Sequence, residues 1–99
     1  MVKTVKINKK ATRRISTIAE YLEYEYSYQT ASNFVDSVYK TIDKVAEYPS
    51  RGRKVPNSKT LQFLNIDAHR QLFYRVHGYV LSVVDIFDTR QNPDKRPSL

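Results

Sequence analysis

Apolar positions along the chain follow two rhythms, and the change from one to the other divides it. Ala11, Ile15, Ile18, Ala19, Leu22 and Tyr26 recur at spacings of three and four, which makes one stripe of a helix. Ser27-Tyr28-Gln29-Thr30 interrupts the stripe with two residues suited to capping. Ala31, Phe34, Val35, Val38, Ile42, Val45 and Ala46 then resume the same period. Two antiparallel helices are predicted, the first capped by Asn8, with Ile15, Ile18, Leu22, Phe34, Val38 and Ile42 on their inner stripe. After Tyr48-Pro49-Ser50-Arg51-Gly52-Arg53, where proline and glycine end the second helix, the period shortens towards two. Leu61 to Ile66, Gln71 to His77 and Val80 to Phe87 read as strands, the last two joined by a turn at Gly78-Tyr79, and Lys54 to Thr60 reads as a polar loop. Ahead of the helices, Val2, Val5 and Ile7 lie among Lys3, Thr4 and Lys6 in a β-branched run that fits a first strand.

The predicted order is therefore β-α-α-β-β-β. Helices and strands segregated in this way define an α+β fold, an N-terminal helical hairpin packed on a small sheet rich in antiparallel pairs. With 99 residues the chain is expected to form one domain, residues 1–99, in which 91–99 is polar enough to be a loose tail.

Composition narrows the compartment and the chemistry. The chain has no cysteine, so neither a disulfide framework nor a thiolate metal site is available, and a reducing cytoplasm is the expected setting. No apolar run approaches the ~20 residues needed to span a bilayer, so no membrane partner is expected. Seventeen Lys and Arg against ten Asp and Glu give a net charge of +7. Residues 1–47 hold eight bases and six acids, a balance of +2, and residues 48–99 hold nine and four, a balance of +5. The excess lies mainly in the half that reads as sheet. It fits a polyanionic target, either nucleic acid or an acidic protein, and it fits a merely basic surface equally well.

The usual signatures of catalysis are missing. Only His69 and His77 are available as imidazole ligands, and neither belongs to a ligand-spaced pair, so neither metal nor cofactor is expected. There is no Gly-x-Ser-x-Gly turn, and with Gly52 and Gly78 as the only glycines there is no phosphate-cradling loop. Basic residues remain. In the strand Leu72-Phe73-Tyr74-Arg75-Val76-His77, alternation sets Phe73, Arg75 and His77 on one face. Arg75 there has two readings: a contact to a phosphate or a base, or a cross-strand ion pair with Asp85. Lys9, Lys10, Arg13 and Arg14 crowd the start of the first helix, against its dipole.

Taken in order, the helix exit Tyr48-Pro49-Ser50-Arg51-Gly52-Arg53, the strand Leu72-Phe73-Tyr74-Arg75-Val76 and the ending Ile86-Phe87-Asp88-Thr89-Arg90-Gln91-Asn92-Pro93 resemble the RelE/ParE superfamily of toxins from type II toxin-antitoxin modules. The resemblance covers nearly the whole chain and implies two activities. ParE-like members poison DNA gyrase. RelE-like members bind the ribosome and cut messenger RNA through basic and aromatic side chains. Arg75 and Arg90 match positions where the ribonucleases often carry arginine, and Arg53 with Lys54 falls in their basic loop. No Tyr or His follows Tyr79, however, so the C-terminal acid-base group of many such nucleases is missing. The reading adopted is a ParE-like gyrase inhibitor without catalytic residues, of the kind that serves plasmid stabilization, with Arg51, Arg53, Lys54, Arg75 and Arg90 as target-binding residues. The alternative is an mRNA interferase using Arg75, His77 and Arg90, and a further one is a non-toxic basic module that binds nucleic acid or protein. The resemblance also implies a cognate acidic antitoxin as partner, through which alone the toxin would meet operator DNA.

Overall fold

The protein is described here by a computed structural model covering residues 2–90. β1 (Thr4–Ile7) leads into α1 (Lys9–Glu25) and α2 (Tyr28–Glu47). A 3-10 turn (Pro49–Arg51) and four further strands follow: β2 (Arg53–Lys54), β3 (Gln62–Asn65), β4 (Arg70–His77) and β5 (Val80–Asp88). Both helices start where their caps require. The Asn8 side chain accepts from the Ala11 N–H at 2.8 Å, and the Ser27 hydroxyl accepts from the Thr30 N–H at 3.0 Å, each satisfying an orphan donor of the first turn.

The sheet runs β1-β5-β4-β3-β2. Its pairings are antiparallel except for β1 with β5, which is parallel, with Thr4 opposite Val80 and Ile7 opposite Val83. Beyond the predicted order lies β2, in which Arg53, the last residue of the expected helix exit, and Lys54, the first of the expected polar loop, pair with β3. So short a strand leaves no periodic trace in a sequence. The β4–β5 turn is the predicted one, and Gly78 takes φ +61°, as the first central residue of a type II′ hairpin must.

The helical hairpin covers one face of the sheet. Ile15, Leu22, Phe34, Val38 and Ile42 are buried against Leu72, Tyr74, Leu81, Val83 and Ile86, while Ile18 of the expected stripe is only partly buried. Along β5 a bulge intervenes between two in-register stretches: Tyr74 pairs with Val83, and Phe73 with Asp85. It lets Asp85, which ion-pairs with α1, be followed at once by Ile86, which packs beneath the helices. The face away from the helices has a smaller core, Val55, Leu61, Phe63, Phe73 and Phe87, in which the Phe63 and Phe73 rings stack at 5.5 Å.

Candidate functional site

The expected basic residues occupy three places. Arg51 lies in the 3-10 turn with its guanidinium 5.4 Å from the Tyr48 ring, and Arg53 and Lys54 form the exposed edge strand β2. A buried hydroxyl fixes this loop. Tyr74, fully buried, donates to the Pro49 carbonyl at 2.7 Å and accepts from the Gly52 N–H at 2.9 Å. Burial pushes its phenol pKa above the ordinary value, and the hydrogen bond from Gly52 opposes that shift. The strand beneath the helices thus dictates where the basic loop emerges.

Arg75 lies on the face without helices. Its register partner is Ser82, as a two-residue turn at Gly78-Tyr79 requires, so the expected ion pair with Asp85 does not form. Asp85, 1% exposed, turns instead to α1, meeting Lys10 at 3.3 Å and Arg14 at 3.6 Å. Two of the cations that oppose the dipole of α1 are thereby accounted for. Arg75 keeps a buried Nε with no hydrogen-bond partner, and His77, two residues on, is exposed on the same face.

Arg90 stands elsewhere. It follows the far end of β5 and grips Asp88 with two bonds, Nε at 3.1 Å and Nη2 at 2.8 Å. Arg70 reaches the same carboxylate at 3.9 Å, holds Asp67 at 3.1 Å and lies 5.2 Å from the Phe34 ring. Arg75 and Arg90 therefore belong to separate surfaces. Arg90, by its hydrogen bond and its charge, holds the Asp88 carboxyl below its ordinary pKa of 3.8. A folded pKa below the unfolded one gives stability that is fully present above about 3.8 and is lost as pH falls through the depressed value. Acid titration of wild type and Asp88→Asn should therefore show the variant losing less stability below pH ~4. Parallel curves would remove this pair from the acid response.

Sequence reasoning missed the groove beside α1. Three cavities of about 430, 400 and 210 Å³ follow one another along α1, each sharing lining residues with the next, and together they run from Lys10 to Tyr26, about 24 Å. Ile18, Leu22 and Ile86 give it apolar lining, while Lys10, Arg13, Arg14, Arg70 and Arg90 outnumber Asp88, the one carboxylate in its lining, and leave it basic. Tyr21 and Tyr26 stand exposed along it. The crowding of bases at the start of α1 was its trace in the sequence, but only the packing of α1 against β5 brings Arg70 and Arg90 into line with them. Among the described residues no cluster of His, Asp and Glu could hold a metal ion, and no helix is long and apolar enough to cross a membrane.

The chain is thus a small α+β domain, a helical hairpin on a five-stranded mixed sheet, with an open groove beside α1. Its fold is that of a solved structure described as the chromosomal ParDE TA system from P. aeruginosa, with TM-score 0.74 and 15% identity over 88% of this chain and 96% of that one. The model of the family described as ParE toxin of type II toxin-antitoxin system, parDE, matches residues 5–93, and the chain belongs to that family. No curated protein matches it.

Proposed function

We propose that this ParE-family toxin arrests growth by acting on DNA gyrase in the cytoplasm and is silenced by an acidic antitoxin seated in the groove beside α1. The observation that carries the choice of gyrase is the separation of Arg75 from Arg90. Cleaving RNA needs a group to take the 2′-hydroxyl proton, a group to protonate the leaving oxygen and cations for the developing charge, all around one phosphate. Arg75 and His77 share a face, which is what favours the alternative reading as an mRNA interferase, but Arg90 is bound to Asp88 beside α1. Two residues of the three do not make that constellation. For the antitoxin, apolar lining between basic walls suits an amphipathic segment with carboxylates on its flanks.

The test is a supercoiling assay with purified protein and gyrase, beside a translation extract supplied with messenger RNA. Loss of supercoiling with accumulation of cleaved DNA is expected, and no codon-dependent RNA cleavage. Ribosome-dependent cleavage that vanishes in His77→Ala would reverse the assignment. The product of a neighbouring reading frame should co-purify, with affinity that falls steeply with salt and is weakened by Arg13→Glu. Failure of any neighbouring product to bind at low salt removes the antitoxin from the proposal.

A further inference from the structure

Register brings together residues that no motif connects. On the face without helices, Lys6 of β1 lies opposite Ser82 of β5, and Ser82 lies opposite Arg75 of β4, so the three form one row across adjacent strands. The next row on the same face is Thr4, Val80 and His77. Neighbouring strands lie about 4.8 Å apart, so the Lys6 and Arg75 backbones stand roughly 10 Å from one another with a hydroxyl between them. Two long cationic side chains at that spacing can converge on one anion above Ser82.

Nothing within the described protein neutralises this row. Asp85 is taken by Lys10 and Arg14, Asp67 by Arg70, and Asp88 by Arg70 and Arg90. The glutamates and remaining aspartates of the described chain lie on α1 and α2, whose apolar stripes pack on the opposite face. Arg75 is half-buried, and no ion pair among the described residues holds its guanidinium, whose outer nitrogens are left to meet an oxyanion. The guanidinium fork and the ammonium supply donors only, and the hydroxyl between them can turn its O–H outward as a further donor, which matches a phosphate with its several acceptor oxygens.

We infer that the row Lys6, Ser82 and Arg75 binds a backbone phosphate of nucleic acid, with His77 and Thr4 flanking it. The inference concerns binding without cleavage, and it stands whether the protein target is gyrase or not. Were gyrase the target, this face would put DNA in the toxin's grasp along with the enzyme.

The test is fluorescence anisotropy of the full chain with labelled duplex DNA, single-stranded DNA and RNA over a range of salt. Lys6→Gln and Arg75→Gln should each weaken binding several-fold and reduce the salt slope by about 1. Lys40→Gln, which removes one charge from α2 on the other side of the molecule, should leave the slope unchanged. Thermal midpoints separate lost binding from lost folding. Should Arg75→Gln unfold, Lys6→Gln on the exposed edge strand carries the test alone. Equal losses in Lys40→Gln, unaltered binding in the double variant, or no binding at low salt would overturn the inference. So would a glutamate-rich peptide that displaces the oligonucleotides and binds more tightly than they do, because the face would then be a protein-docking surface. Comparison of the three oligonucleotides identifies the kind of backbone.

Discussion

Gly52→Ala should lower folding stability by about 3 kcal/mol, although it adds one methyl group at a residue outside regular structure. A Cβ at position 52 would lie 2.1 Å from the Tyr74 hydroxyl and 2.7 Å from the ring carbon that bears it. Tyr74 is fully buried between the sheet and the helices and has no room to retreat. The loop must therefore move outwards, giving up the Gly52 N–H and Pro49 carbonyl bonds and leaving a buried hydroxyl without partners. Overpacking costs about 1–3 kcal/mol and an unsatisfied buried group a similar amount, so the sum exceeds either alone. Tyr74→Phe by itself should cost about 1–2 kcal/mol. In that background the closest contact is gone, so Gly52→Ala should do less harm, with a coupling of about 1 kcal/mol or more in a double-mutant cycle. Denaturant midpoints of the four proteins measure this. A Gly52→Ala protein with the wild-type midpoint, or strict additivity, would contradict the lock.

The second large effect should come from the ions between α1 and β5, and it should be lopsided. Lys10→Met with Arg14→Met keeps the aliphatic cover of Asp85 but removes both positive charges, leaving a carboxylate 1% exposed whose one hydrogen bond comes from the Ile86 N–H. A buried charge deprived of its partner costs about 3–5 kcal/mol. Asp85→Asn leaves the cations instead, and their side chains, 63% and 30% exposed, can turn to water. Its expected cost is about 1 kcal/mol. Urea unfolding of both variants decides the matter: equal losses, or a larger loss for Asp85→Asn, would mean that Asp85 is solvated in solution.

These two features also mark how far the sequence could be read. The helical stripes, the Asn8 and Ser27 caps, the Gly78 turn and the alternation along β4 were legible because each is set by neighbours within a few residues. Asp85 was not, because its direction depends on α1 and on a register count that sets Arg75 opposite Ser82. The resemblance grouped Arg75 and Arg90 together as target-binding residues. In the fold one lies mid-sheet on the bare face and the other answers to Asp88 beside α1. The bond between Tyr74 and Gly52 was not legible either, since nothing near residue 74 announces a partner 22 residues away. Lys6 and Ser82 are 76 residues apart, and only the parallel pairing of the first strand with the last makes them neighbours.

That pairing bears on how the toxin is made. β1 leaves the ribosome first and β5 last of the strands, yet β5 lies between β1 and β4 and carries Leu81, Val83 and Ile86 of the main core. Until residue 80 and those after it emerge, β1 has no partner, the hairpin has half a floor, and neither the groove beside α1 nor the row through Ser82 exists. Long-range pairing of this kind forms late because its loop-closure entropy must be met first. Synthesis therefore withholds the groove and the row until β5 has emerged, and a chain cut short before β5 should lack both.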